Sequence, residues 1–139
     1  MAITEGNEDL LLMMHSAAAR AAIVGGHLYV ALTDSGVIGT ASWFRPGSGF
    51  LDSEEQMDQG MKEFGARLAS LKLDVFQWYT KLLASYQNFC KKAFGSADDP
   101  TGVNFKRDNW KIHSFAVLPS YQGRGIGRLL LEVGERQVM

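Results

Sequence analysis

The sequence predicts an α/β (α+β) domain in which a mixed, mostly antiparallel sheet is flanked by helices. Three observations point there. Residues 27–45 alternate side chains about a turn, as a β-hairpin does. Residues 52–94 run without proline and repeat apolar residues at helical spacing. Residues 110–138 read as strand, glycine-rich turn and helix. The 139 residues suit one domain, spanning 1–139. At 46% hydrophobic and 21% charged, the chain is unlike a disordered one. No apolar run approaches the roughly 18 to 20 residues needed to cross a bilayer. The opening MAITEGNEDL lacks the basic start of a secretory signal. Cys90 is the single cysteine and cannot form an internal disulfide, so a reducing, cytoplasmic setting is expected.

The elements follow in order. Residues 8–24, rich in Ala, Leu and Met, read as a helix that Gly25-Gly26 ends. In the strand that follows, Leu28, Val30 and Leu32 share one face, and Tyr29 and Ala31 the other. Asp34-Ser35-Gly36 supplies the turn, and Val37–Phe44 the second strand. Asp52 with Glu55 resembles a capping box opening the helical region. Gly60 and Gly65 weaken its first part, which predicts two helices. In the second, Leu73, Phe76, Tyr79/Thr80, Leu83, Tyr86/Gln87 and Cys90 form a stripe expected to pack on a sheet. The alternative is the lining of a pocket. Residues 95–109 are polar and turn-rich and read as a loop. The next strand would point Ile112, Ser114, Ala116 and Leu118 one way and Lys111, His113, Phe115 and Val117 the other. Both sets hold apolar residues, which predicts cover on both faces. Pro119 ends this strand, and Arg128–Val138 reads as the last helix.

Charge is unevenly spread. Residues 1–105 carry eight Lys/Arg against twelve Asp/Glu, and residues 106–139 carry six against three. The basic end coincides with the glycine-rich turn, which favours an anionic ligand there. The net charge of −1 gives no support for a nucleic-acid partner.

That turn is Gln122-Gly123-Arg124-Gly125-Ile126-Gly127. A pyrophosphate needs several backbone N–H groups aimed at one point with no side chains between. Glycines allow this, and a helix start supplies unpaired N–H groups and a favourable dipole. Arg124 and Arg128 add positive charge. Two other phosphate grammars fail. Gly-Lys-Ser/Thr occurs nowhere, and Gly-x-Gly-x-x-Gly breaks at Arg128 counted from Gly123, and at Leu130 counted from Gly125.

The string Gln122–Gly127 matches Gln/Arg-x-x-Gly-x-Gly/Ala, the coenzyme A loop of the GNAT superfamily of N-acetyltransferases. Phe115–Tyr121 resembles the strand that precedes that loop, and the hairpin resembles the family's second and third strands. The strings GGHLYVAL and WFRPG are similar to fungal members. The resemblance implies acetyl transfer from acetyl-CoA to a primary amine by direct attack. A coenzyme A-binding module without turnover is the alternative.

It also implies site residues. Phe115, Ala116 and Val117 would pair with the pantetheine arm. Gln122, Gly123, Arg124, Gly125, Ile126, Gly127 and Arg128 would hold the pyrophosphate. The backbone N–H of Val117 would polarise the thioester carbonyl. His113, with an ordinary pKa of about 6.5, is the candidate base, a packed histidine being the alternative. His15, His27 and Cys90 read as structural, and no spacing suggests a metal. The acceptor would be a small-molecule or peptide amine, with no nucleic acid and no membrane involved. A full domain of this family continues with another strand, a helix and two further strands. The chain therefore reads as a partial domain whose strand at 112–118 leaves an open edge, through which copies could associate.

Overall fold

The computed structural model describes residues 3–138, apart from the side chains of Gln87, Lys106 and Val138. The first helix, α1, spans Glu8–Gly25. Asn7 caps it, its Oδ1 accepting the Leu10 N–H at 3.0 Å, and Glu8 and Asp9 complement the dipole. Strands β1 (His27–Thr33) and β2 (Gly36–Phe44) form the expected antiparallel hairpin. The turn between them needs Gly36, whose φ is +116°. Strand β3 (Lys111–Val117) pairs antiparallel with β2, and the sheet order is β1-β2-β3.

Each face of the sheet carries helices. The last helix, α6 (Ile126–Val138), covers one face. There Tyr29, Ala31, Ala41, Trp43 and Val117 pack with Ile126, Leu130 and Leu131. A Cβ at Gly134 would fall inside the Trp43 indole, so α6 approaches the sheet at a glycine. On the other face α1 lies against β1 and β2. Its buried Ala17, Ala21 and Ala22 let the backbones come close. Beyond α1 a second core joins Leu10 to Phe64, Leu68 and Val75.

The stretch between β2 and β3 folds as α2 (Glu54–Met57), α3 (Met61–Leu71), α4 (Leu73–Phe94) and α5 (Val103–Asp108). Three details differ from the sequence reading. The first cap is Ser53, whose hydroxyl accepts the Gln56 N–H at 3.2 Å; Asp52 instead accepts the Gln56 side-chain amide at 2.8 Å. Gly60, at φ +111°, separates α2 from α3, but Gly65 lies inside α3 and the other break falls at Lys72. Lastly, 95–109 is not all loop. Asp99 accepts the Thr101 hydroxyl at 2.7 Å and the Asn104 N–H at 2.6 Å, which opens α5. The Thr101 bond leads the interactions that hold the Asp99 carboxyl below its ordinary pKa.

The α4 stripe also behaves differently. Phe76 packs on the α1–α3 core, while Tyr79, Thr80, Leu83 and Tyr86 line a groove rather than meeting the sheet. Cys90 is buried; the Gln87 side chain lies outside the described residues.

Strand β3 is not covered on both faces. Ile112 is 40% and Phe115 45% exposed, and the strand forms an edge of the described sheet. The strict alternation expected along it also fails. The β2–β3 register shifts between Ser42 and Trp43, so Ser42 faces Ser114 whereas Trp43 faces Ile112. His113 is the extra residue of a bulge. Lys111 and His113 therefore look into the α3–α4 groove, while Phe115 and Val117 turn toward α6. Side-chain oxygen replaces the lost ladder partner. Ser42 Oγ accepts the Ser114 N–H at 3.0 Å and lies 2.7 Å from Ser114 Oγ.

Candidate functional site

Two concavities share β3. The smaller, of about 490 Å³, is bounded by Phe115, Ala116, Val117, Tyr121, Gln122, Gly123, Gly125, Ile126 and Gly127. Its construction follows from the local sequence. Pro119 ends β3 and opens a 3-10 turn over Pro119–Tyr121. Gly123 (φ +74°) and Gly125 (φ +82°) then take left-handed backbone that other residues adopt only with strain. A Cβ at either would meet nothing within 4 Å, so the space above both is open. Gly127 has a different role: a Cβ there would press on Phe115 Cζ at 3.0 Å. The helix begins at Ile126, two residues earlier than expected, with the Leu129 N–H bonded to the Gly125 carbonyl at 3.1 Å. The first N–H groups of α6 have no intrahelical partner and the positive end of the helix dipole points into the cleft.

The cleft runs into the open edge of β3. The Leu118 N–H reaches back to the Ile38 carbonyl at 2.9 Å, so by strand alternation Val117 and Phe115 turn their backbone groups outward. Gln122 Nε2 donates to the Val117 carbonyl at 2.9 Å and so ties the loop to the strand. The cleft can therefore accept an extended chain with its own amides, ending in an anion at the α6 N-terminus.

The two arginines stand apart from this lining. Arg124 lies over the Tyr121 ring at 5.2 Å, and Arg128 Nε pairs with Glu132 at 2.6 Å. That partner raises the Arg128 pKa, and the pair is exposed. Tyr121 is a lining residue that sequence reasoning missed. Its hydroxyl lies 3.4 Å from Ser35 Oγ, and this bond leads the effects that lower its pKa. The only available signal was its place beside the glycine string.

The larger groove, of about 1000 Å³, lies on the other face of β3 under α3 and α4. His113 sits at its edge, stacked on Phe50 with ring centres 3.6 Å apart and edge-on to Phe44 at 6.3 Å. His113 is exposed at the rim, and the desolvation from its ring packing lowers its pKa below the ordinary 6.5, which favours the neutral ring. The structure thus gives His113 both a packed ring and an opening onto a groove. Val117 lies at the loop end of β3. At about 3.3 Å per residue, four residues of strand put roughly 13 Å between Val117 and His113. The outward N–H of Phe115 lies between them.

Behind His113 a buried amide fixes the groove's rim. Gln56 donates to the Gly49 carbonyl at 3.0 Å and to Asp52 at 2.8 Å, and its Oε1 accepts the Leu51 N–H at 2.8 Å. Leu51 is held at φ +59°, strained for a leucine. Among the described residues no group of three or more His, Cys, Asp or Glu comes together to hold a metal.

A family model described as the acetyltransferase (GNAT) family matches residues 7–139. The chain belongs to that family. No curated protein and no solved structure matches it significantly. GNAT membership supports acyl-CoA-dependent acetyl transfer in general, with acetyl-CoA as the family's usual donor. The three-stranded antiparallel sheet flanked by helices agrees with a GNAT-like fold.

Proposed function

We propose that this protein is an acyl-CoA-dependent N-acyltransferase that moves acetyl from acetyl-CoA to a primary amine. The observation that carries the reading is the cleft of Gly123, Gly125 and the α6 N-terminus, continuous with the outward backbone of Phe115 and Val117. The diphosphate fits where both glycines leave open space. The amide-bearing arm fits along the β3 edge, and the thioester then comes toward the bulge at His113.

The chemistry follows from that placement. The amine nitrogen, entering from the larger groove, attacks the thioester carbonyl. A carbon–nitrogen bond forms, the carbon–sulfur bond breaks, and the thiolate leaves. The N–H of Phe115 steadies the developing oxyanion, which is most of what a direct transfer requires besides positioning. Neutral His113 takes the proton the amine loses.

Calorimetry with coenzyme A, ATP and NAD tests the binding half. The reading expects coenzyme A to bind at least ten-fold more tightly than the other two. Equal binding of all three, or none, would refute it. Amine-dependent thiol release from acetyl-CoA separates an enzyme from a module that only binds.

A further inference from the structure

The connection between β2 and β3 is far longer than antiparallel neighbours require, and it holds four helices. Those helices roof the larger groove. Its floor and walls are apolar: Phe50, Met61, Phe64, Phe76, Leu83 and Tyr86 all line it. At about 1000 Å³ it is at the upper end of small-ligand sites. Its charges are few. Arg107, paired with Asp108 at 3.0 Å, and Lys111 lie at the margin, and Asp52 is the one acidic residue of the lining. Asp52 already accepts from the Gln56 amide.

We infer that the groove takes a primary monoamine with an aryl or alkyl tail, and that the α2–α5 insertion sets this preference. The inference rests on the acyltransferase reading for the face by which the amine enters. An apolar tail gains by leaving water against these side chains. An ammonium in an apolar groove is pushed toward its neutral, nucleophilic form, and His113 beside it is neutral and can take the proton. A polyamine gains neither advantage. Its further ammonium groups would be desolvated against these apolar walls, where Asp52, already bonded to Gln56, is the one carboxylate of the lining. A peptide amine would bring backbone groups into a wall that offers few partners. The groove is also held in shape. Gln56 grips Gly49, Leu51 and Asp52, and so seats Phe50 on His113.

Ligand-observed NMR on the full chain tests this without requiring turnover. The probes are 2-phenylethylamine, spermidine and triglycine, each with saturating coenzyme A. Phenylethylamine is expected to bind at least ten-fold more tightly than the other two. Leu83→Glu places a carboxylate on an α4 side chain that is 43% exposed, so folding should survive. It is expected to narrow the phenylethylamine-to-spermidine ratio by ten-fold or more, with coenzyme A affinity unchanged within two-fold. Spermidine or triglycine binding as well as phenylethylamine would overturn the inference, as would an unchanged ratio in Leu83→Glu. Failure of coenzyme A to bind would instead count against the acyltransferase reading, while the amine ranking would still judge the groove.

Discussion

Replacing Gly125 with alanine separates the ligand's space from the backbone's strain. Gly125 has φ +82°, and so does Gly6, far away near the start of the chain; neither has an atom within 4 Å of the position a Cβ would take. Both substitutions therefore place an L-residue in left-handed backbone, at about 1–2 kcal/mol, with no clash inside the protein. Only Gly125→Ala puts a methyl group where the diphosphate is expected. If that methyl displaces one charge-assisted N–H contact, binding weakens by about 1.5–3 kcal/mol, which is roughly ten- to 150-fold in Kd. Thermal melting measures the strain and calorimetry measures coenzyme A affinity. We expect similar drops in Tm for the two variants and a loss of affinity in Gly125→Ala alone. Unchanged affinity in Gly125→Ala, or an equal loss in Gly6→Ala, would refute the assignment of the cleft.

Other outcomes follow from the same geometry. Gly134→Ala should cost about 1–3 kcal/mol by overpacking α6 on Trp43, measured by denaturant unfolding. Gln56→Ala should cost a similar amount by freeing Leu51 and leaving buried groups unpaired, and should raise proteolysis between residues 49 and 53. Burial disfavours the charged His113 ring, so its folded pKa lies below its unfolded value of about 6.5. As pH falls through 6.5 the unfolded chain takes up the proton first, so this contribution to stability is intact above 6.5 and declines below it. As base, His113 should keep acetyl transfer at full rate down to lower pH than an ordinary histidine; His113→Gln should abolish that acid limb, and an unchanged pH profile would remove it from the chemistry. Pairing between copies through the β3 edge would use the same outward groups of Phe115 and Val117, so sedimentation should show coenzyme A shifting any oligomer toward monomer.

Much of the fold was legible because local chemistry dictates it. The hairpin at 27–44 announces itself by alternation and by Asp34-Ser35-Gly36. The glycine string at 122–127 announces a phosphate-sized gap through residue types alone. What escaped depends on partners distant in sequence. The bulge at His113 has no marker in its own strand. It exists because β2 and β3 change register, with Ser42 supplying the replacement acceptor. Alternation alone therefore put His113 on the same face as Phe115, and the structure separates them. The α4 stripe has helical periodicity, but periodicity reports an apolar face and not what that face meets. Here it meets a groove. The distinct jobs of the glycines were hidden for the same reason: Gly123 and Gly125 serve backbone conformation, while Gly127 serves packing on Phe115.

We propose that the cleft at Gly123–Gly127 delivers an acyl thioester to an amine on the far side of β3. The most direct measurement is thiol release from acetyl-CoA with and without 2-phenylethylamine, run on the native chain and on Gly125→Ala. Release should depend on the amine and fall at least ten-fold in Gly125→Ala. Release that ignores the amine, or persists unchanged in Gly125→Ala, would contradict it.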